Sequence, residues 1–229
     1  LYSNATNVVE ELDELLDVDK YYLSDDGHIA LLGATAGKKG VIVIAGTGSI
    51  AYALKDSEEK LRSGGWGPII GDEGSGFWIG LKAIKKAIRA SEKRDKSTSL
   101  ISLVKKEFPI INLKELIPFV YDNKLPRKEI ASLAPEVFSL AEKGDELARE
   151  IVEKAADELV LLALSLQGKL DYNESEIAVS GGLFKSNYFY NLFSKRLKNY
   201  FLKCYKPQFS AAYGAVFYAL REAEEEFDV

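Results

Sequence analysis

Two glycines and two hydroxyl residues follow directly on a continuous apolar segment. Residues 41–45 are Val, Ile, Val, Ile and Ala, which predicts a strand buried on both faces. The next residues are Gly46, Thr47, Gly48 and Ser49, an order that favours a tight turn with free backbone N–H groups. Such a turn can bind a phosphate, with the hydroxyls as further donors. A plain hairpin between two strands would use the same residues, so both interpretations stay open here.

Two widespread phosphate-binding motifs are excluded. The P-loop requires G-x-x-x-x-G-K-[ST], but residues 33–39 have a different glycine spacing and no hydroxyl residue after the first lysine. The dinucleotide fingerprint G-x-G-x-x-G needs a third glycine, and this chain has Ala51 at that position.

Asp26 is a candidate general base. It follows residues 20–23, which predict a strand, and it precedes Gly27. A carboxylate held there could accept the proton of an alcohol while that alcohol attacks a phosphoryl group. Asp25 is a rival for this role, and the commoner use of Asp-Gly is a turn or a helix cap.

A second glycine-rich block spans residues 64–80 and contains both tryptophans of the chain. Trp66 is flanked by glycines and offers a flat apolar face on which a sugar ring could rest. Asp72 can accept hydrogen bonds from sugar hydroxyls. Ser75 is placed to cap a helix whose apolar residues recur at helical spacing. For Trp78, inside that helix, we expect a position in the core.

Composition narrows the class of protein. The chain has 229 residues, a net charge of −5 and a pI near 5.2, which argues against a broad nucleic-acid-binding or membrane-binding surface. One cysteine, Cys204, excludes an internal disulfide and a metal cluster held by several of the chain's own thiolates. One histidine, His28, excludes a multi-histidine metal site. Lys and Glu abound while Gln is scarce, which resembles proteins from hot environments.

Strands alternate with helices along the chain, which indicates an α/β protein. The apolar patterns predict strands at residues 20–23, 41–45, 50–54 and 177–180. They predict helices at residues 7–16, 28–36, 113–121, 127–133, 135–141, 145–166, 187–201 and 211–226, in addition to the one capped by Ser75.

Together these motifs resemble the N-acetylglucosamine kinase-like proteins, grouped with the BadF/BadG/BcrA/BcrD ATPases in the actin/hexokinase/Hsp70 superfamily. The resemblance covers essentially the whole chain, and its residues are Asp26-Gly27 and the ranges 44–49, 65–75, 143–145, 179–186 and 212–215. It implies an α/β, two-lobed actin-like ATPase (ribonuclease H-like) fold. Residues 1–40 and 211–229 would belong to the N-terminal lobe, and residues 41–210 would form the C-terminal lobe.

The same resemblance implies ATP-dependent phosphorylation of a hexose or an amino hexose, with Mg²⁺ as a cofactor. Asp26 would be the base on the attacking hydroxyl. The residues implied to contact the sugar are Asp26, Ser49, Gly65, Trp66 and Asp72. The residues implied to bind ATP are Gly46, Thr47, Gly48, Gly181 and Gly182. We also expect a homodimer in the cytoplasm, with a sugar as its small-molecule partner and neither nucleic acid nor a membrane.

Two features depart from the family. Its members begin with a strand and a first phosphate loop similar to D-G-G-G-T, which also organises Mg²⁺, and this sequence has no such motif. We therefore expect the N-terminal lobe to be incomplete in this chain, and we assign no metal ligand. Relatives specific for N-acetylglucosamine often carry Asn where this chain has Ile50, which leaves glucose, mannose and glucosamine as candidate sugars.

Two other functions stay open at this point. An ATPase activator of a 2-hydroxyacyl-CoA dehydratase would need cysteines for an iron–sulfur cluster at a dimer interface, and Cys204 is the one available. A sugar-sensing or nucleotide-sensing module without catalytic activity is supported by the absence of the first phosphate loop alone.

Overall fold

Five strands form one mixed sheet in the part of the chain that the structure describes. This structure is a computed structural model, and it describes residues 22–55, 59–122, 126–170 and 175–225. The order of the strands across the sheet is β3-β2-β1-β4-β5. The strands are β1 (Gly40–Ala45), β2 (Ser49–Leu54), β3 (Lys60–Gly64), β4 (Glu176–Ser180) and β5 (Lys203–Tyr205).

Helices cover both faces of this sheet, so the predicted α/β class is confirmed. The α-helices of the described residues are α1 (Asp26–Thr35), α2 (Gly76–Ser91), α3 (Leu100–Glu107), α4 (Leu116–Asp122), α5 (Arg127–Ala131), α6 (Ala134–Glu142), α7 (Glu146–Gln167), α8 (Asn187–Lys198) and α9 (Ala211–Glu225). Short 3₁₀ helices occupy Leu113–Glu115 and Gly182–Lys185.

The central strand is β1, which pairs antiparallel with β2 and parallel with β4. Its side chains are apolar on both faces because helices pack on both sides of it. Val41 and Val43 belong to a large core on one face, while Ile42 belongs to a smaller cluster on the other. All three side chains are fully buried.

The large core is built around α7, which lies against β1, β2 and β3 and is surrounded by α2, α6 and α8. The helix begins where the Asp145 carboxylate accepts a hydrogen bond from the Ala148 N–H at 3.0 Å. Helices α6 and α8 pack through aromatic rings: Phe138 stacks on Phe189, with 4.8 Å between the ring centroids. We name this side of the sheet the thick face.

The opposite side, which we name the thin face, is covered by α1 and α9. Its buried cluster has seven members, which are Leu31, Leu32, Ala34, Ile42, Tyr52, Leu54 and Ala178. The two helices approach each other closely at Gly214, where a Cβ would lie 1.8 Å from the Ile29 carbonyl oxygen. Only glycine permits this contact, so the α1–α9 pair depends on that residue.

Most predicted elements occur close to their predicted positions, including α7, predicted at residues 145–166, and α1, predicted at residues 28–36. The predicted strand at residues 20–23 is wrong in its described part, because Tyr22 and Leu23 have no regular structure. The predicted helix at residues 7–16, together with residues 20–21, lies outside the described residues.

Two strands were not predicted. β3 carries Lys60, Arg62 and Gly64 and has no apolar alternation, and β5 is only three residues long. Both lie at the edges of the described sheet, where partial exposure permits polar residues and weakens the sequence pattern.

Candidate active site

Two glycine turns lie side by side at the carboxyl ends of β1 and β4. The two strands are parallel, and Ile44 is in register with Ser180 at their ends. At Gly181, whose φ is +102°, an added Cβ would lie 2.3 Å from the Ala45 carbonyl oxygen. The structure therefore brings together the two groups predicted to bind ATP, which are Gly46, Thr47 and Gly48 in one turn and Gly181 and Gly182 in the other.

The turn after β1 is a hairpin that leads into β2, as one of the two sequence interpretations expected. It is closed by a hydrogen bond from the Gly46 N–H to the Gly48 carbonyl oxygen at 2.9 Å. The Thr47 and Gly48 N–H groups donate to no atom of the described residues, and Thr47 is exposed. The hairpin thus keeps the backbone donors that phosphate binding requires.

The glycine-rich block packs directly onto this hairpin through the start of α2. The Gly76 N–H donates to the Gly46 carbonyl oxygen at 2.8 Å, and the Phe77 N–H donates to the Thr47 carbonyl oxygen at 3.1 Å. Ser75 caps the helix as predicted, since its hydroxyl accepts from the Trp78 N–H at 3.1 Å. These bonds fix the hairpin against the positive end of a helix.

Ser49, predicted to contact the sugar, lies in the interior of this contact. Its side chain is buried, and its hydroxyl donates to the Glu73 carbonyl oxygen at 2.7 Å. Its own carbonyl oxygen accepts a hydrogen bond from the Gly65 N–H at 3.0 Å. Ser49 therefore joins the hairpin to the start and to the middle of the glycine-rich block.

Asp72 is buried beside the hairpin in a left-handed backbone conformation, with φ of +56°. A Cβ at Gly48 would lie 2.9 Å from the Asp72 carboxylate, so the carboxylate sits against the hairpin itself. Arg127 of α5 forms an ion pair with it, with 3.2 Å between Nη2 and Oδ2. This guanidinium offsets a negative charge that would otherwise repel a polyphosphate at the hairpin.

Arg127 was not identified from the sequence, and no local signal marks it. It reaches Asp72 because α5 packs tightly on α2, where a Cβ at Gly80 would lie 1.9 Å from the Ile130 carbonyl oxygen. Because the contact depends on how two helices pack, the sequence around Arg127 contains no periodicity or motif that would indicate it.

The two tryptophans differ as predicted. Trp66 is 64% exposed, which leaves its indole available to a ligand, and Trp78 is partly buried against the large core. The Arg62 guanidinium carbon lies 5.0 Å from the centroid of the Trp66 ring. Gly65 has φ of +70°, and a Cβ there would lie 2.4 Å from Ile50 Cδ1, so this position requires glycine.

The two neighbouring aspartates have different roles. Asp25 is the N-cap of α1: its Oδ1 accepts from the His28 N–H at 2.9 Å, and its Oδ2 pairs with Lys60. Partial burial acts to raise the pKa of Asp25, but the hydrogen bonds from Lys60 and from the His28 N–H outweigh it and hold that pKa below 3.8.

Asp26 is the first residue of α1, and the described residues before it, 22–25, form no strand. Its side chain is exposed and makes no hydrogen bond or ion pair with the described residues. Of the two candidates, Asp26 is the one left available to a substrate, while Asp25 serves the helix.

Tyr52 links Asp26 to the glycine-rich block. A Cβ at Gly27 would lie 1.9 Å from the Tyr52 ring, so the start of α1 rests on that side chain. Tyr52 and Ile50 project from the same face of β2, and Ile50 contacts Gly65. Asp26 and the block around Trp66 therefore lie on the same side of the sheet, the thin face.

The described residues lack two features, a cluster of metal-ligating side chains and a long apolar helix. The described residues contain no group of three or more His, Cys, Asp or Glu side chains that could hold an ion. Asp72 is already paired with Arg127. The same part of the chain has no helix long and apolar enough to cross a membrane.

Residues 2–219 match the BadF/BadG/BcrA/BcrD ATPase family, and the chain belongs to this family. It is 36% identical to the N-acetylmuramic acid/N-acetylglucosamine kinase of Clostridium acetobutylicum over 224 residues, which are 95% of this chain and 73% of that protein. It is 32% identical to the N-acetyl-D-glucosamine kinase of Dictyostelium discoideum over 200 residues, which are 84% of this chain and 62% of that protein.

Solved structures agree with the predicted fold. A protein of Porphyromonas gingivalis assigned as an N-acetylglucosamine kinase superposes with a TM-score of 0.75 at 19% identity, over 96% of this chain and 74% of the other. A protein of Chromobacterium violaceum with the same assignment gives 0.68 at 27% identity, over 90% and 69%. The predicted actin-like α/β fold is therefore confirmed.

Proposed function

We propose that this chain is an ATP-dependent kinase that transfers the γ-phosphoryl group to the primary hydroxyl of an amino hexose. The observation that carries the proposal is the meeting of the two glycine turns at the ends of β1 and β4. The thin face of the same sheet presents the exposed Asp26 carboxylate and the exposed Trp66 indole. The kinases similar to this chain act, by their names, on N-acetylglucosamine and N-acetylmuramic acid, which supports an amino sugar as the substrate.

The nucleotide would bind across the two turns. The N–H groups of Thr47 and Gly48 and the Thr47 hydroxyl would donate to phosphate oxygens, next to the positive end of α2. Gly181 and Gly182 would border the adenosine, because the absence of side chains leaves room for a flat ligand. The Arg127–Asp72 pair would keep the wall of the hairpin close to neutral.

The sugar would rest on Trp66 and present its primary hydroxyl to Asp26. As the hydroxyl oxygen forms a bond to the γ-phosphorus, its proton passes to the Asp26 carboxylate. The bond from the γ-phosphorus to the bridging oxygen breaks, and ADP leaves. Most of the rate would come from alignment of the reactants and from donors on the phosphates, while the base contributes roughly 10²–10⁴-fold.

We propose that Mg²⁺ enters with ATP as part of the substrate complex. In such sites Mg²⁺ keeps several waters and binds chiefly to phosphate oxygens. The described residues hold no group of three or more His, Cys, Asp or Glu side chains, and we assign no ligand and no catalytic step to the ion.

The test is ADP release by the purified protein, measured with ATP and one sugar at a time. We expect release to depend on N-acetylglucosamine or glucosamine and to be near background without sugar, and we expect mass spectrometry to detect the sugar phosphate. ADP release that no sugar stimulates would refute the kinase and favour an ATPase role. Binding without any turnover would favour a sensing module.

The dehydratase-activator alternative is not favoured. It needs a cluster of thiolates, and Cys204 is the only cysteine of the chain. Four expectations stay predictions. They are the homodimer, the cytoplasmic location, the thermophilic source, and the division into residues 1–40 plus 211–229 and residues 41–210. Light scattering would test the homodimer, and a melting temperature would test the thermophilic source.

A further inference from the structure

Arg62 is an exposed cation fixed over the proposed sugar platform. It lies on the edge strand β3, and its guanidinium carbon is 5.0 Å from the centroid of the Trp66 ring. Stacking of a guanidinium on an indole restricts the orientation of the side chain while its N–H donors stay available at the rim. A group held in this way is pre-organised to bind an anion.

Arg62 differs from its neighbour on the same strand face in having no counter-ion among the described residues. Residues two apart on a strand point to the same side, so Lys60 and Arg62 share the thin face. Lys60 forms an ion pair with Asp25. Arg62 forms no ion pair with any described residue, so no carboxylate in this part of the chain competes with a charged group on a ligand.

Arg62 lies on the side of the sheet where the proposed sugar would bind. It is paired across the sheet with Tyr52, whose ring contacts Gly27, one residue from the proposed base Asp26. Directly opposite residues in antiparallel strands share a face. Arg62, Trp66 and Asp26 are thus on one side of the sheet, where the proposed sugar would bind.

We propose that Arg62 binds a carboxylate carried by the substrate, so that this enzyme accepts acidic amino sugars. The planar fork of an arginine matches a carboxylate with two parallel hydrogen bonds. N-acetylmuramic acid provides the test ligand, because it differs from N-acetylglucosamine by a lactyl ether that ends in a carboxylate. The inference rests on the proposed function, and the Clostridium acetobutylicum relative, named for both sugars, agrees with it.

The experiment compares kcat/KM for the two sugars in the wild-type protein and in Arg62→Gln. We expect Arg62→Gln to lower kcat/KM for N-acetylmuramic acid by roughly 10- to 100-fold, because a charge-assisted hydrogen bond is lost. For N-acetylglucosamine we expect a change of no more than about 3-fold, since the neutral sugar has no carboxylate to lose. Arg62→Lys should recover part of the activity on the acidic sugar, because it keeps the charge without the planar fork.

Arg94→Gln is the matched control, since Arg94 is exposed but lies beyond the end of α2 and pairs with Glu92. It should leave both sugars unaffected. Two results for Arg62→Gln would overturn the inference. An equal loss of kcat/KM on both sugars would mean that Arg62 contacts the sugar ring. A raised KM for ATP with either sugar would mean that Arg62 contacts the nucleotide. Wild-type activity on N-acetylglucosamine alone would also overturn it and leave the kinase intact. Activity on neither of these two sugars would overturn the inference, and it would overturn the kinase as well if glucosamine also failed to stimulate ADP release.

Discussion

The two faces of the sheet differ in how much they bury and in what they expose. The thick face packs against α2, α6, α7 and α8 and holds the large core, with fully buried side chains such as Phe189 and Leu147. The thin face is covered by α1 and α9 over a cluster of seven buried residues. Asp26, Arg62 and Trp66 are exposed on this thinner side.

Because of this difference, the thick face mainly stabilises the fold, and the thin face carries the residues proposed to act on the substrate. Buried apolar area on the thick face supplies most of the hydrophobic stabilisation, and it fixes the positions of α2 and β1, which flank the hairpin between β1 and β2. The thin face leaves charged and aromatic groups accessible to solvent, as a ligand site requires. Substitutions on the two faces should therefore have different consequences.

The largest effect should come from Asp26→Asn. The amide cannot accept the hydroxyl proton, so kcat should fall by roughly 10²–10⁴-fold while sugar affinity changes little. Steady-state kinetics combined with calorimetric binding of the sugar would separate the two quantities. Glu146→Gln is the matched control, because Glu146 is likewise exposed and first in its helix, on α7. If Asp26→Asn turned over at the wild-type rate, Asp26 would not be the base.

Next in size is Phe189→Ala on the thick face. This ring is fully buried and stacked on Phe138, so its loss should lower the free energy of unfolding by about 3–5 kcal/mol. KM values of the protein that stays folded should be unchanged. Urea denaturation would measure the loss, with Phe201→Ala, at a residue 94% exposed, as the control. A stability change below that of the control would contradict the division between the faces.

A smaller effect is expected for Trp66→Ala on the thin face. Its ring is largely exposed, so the free energy of unfolding should stay within about 0.5 kcal/mol of the wild-type value. Sugar affinity should fall by roughly 10-fold, because the apolar platform is removed. Trp66→Phe should retain most of that affinity. Unaltered sugar binding in Trp66→Ala, measured by calorimetry, would remove Trp66 from the site.

The smallest effect concerns pH and His28, buried at the start of α1. Burial lowers its pKa below 6.5; Lys60 and Arg221 act in the same direction, and Asp25 opposes them. The unfolded state therefore binds a proton at higher pH than the folded state does. The stability contributed by neutral His28 is complete above pH 6.5 and is lost as the pH falls below it. Urea denaturation between pH 7 and pH 5 should show a shallower decline for His28→Gln, and identical slopes would exclude this contribution.

Local sequence patterns predicted the parts of the site that one segment defines. The apolar run of β1, the glycines of the hairpin and the cap at Ser75 all act through near neighbours, so their residue types indicated the structure directly. Arg127 and Arg62 could not be predicted, because packing of α5 on α2 and pairing of β3 with β2 bring them into place. The order of Asp25 and Asp26 gave no means of deciding which one caps α1.

The most direct test of the account is a crystal structure with N-acetylglucosamine and a non-hydrolysable ATP analogue. We predict the phosphates on the N–H groups of Thr47 and Gly48, the adenosine beside Gly181, and the sugar on Trp66 with its primary hydroxyl within hydrogen-bond distance of Asp26. A nucleotide bound away from the two glycine turns, or a sugar on the other side of the sheet, would contradict the central claim.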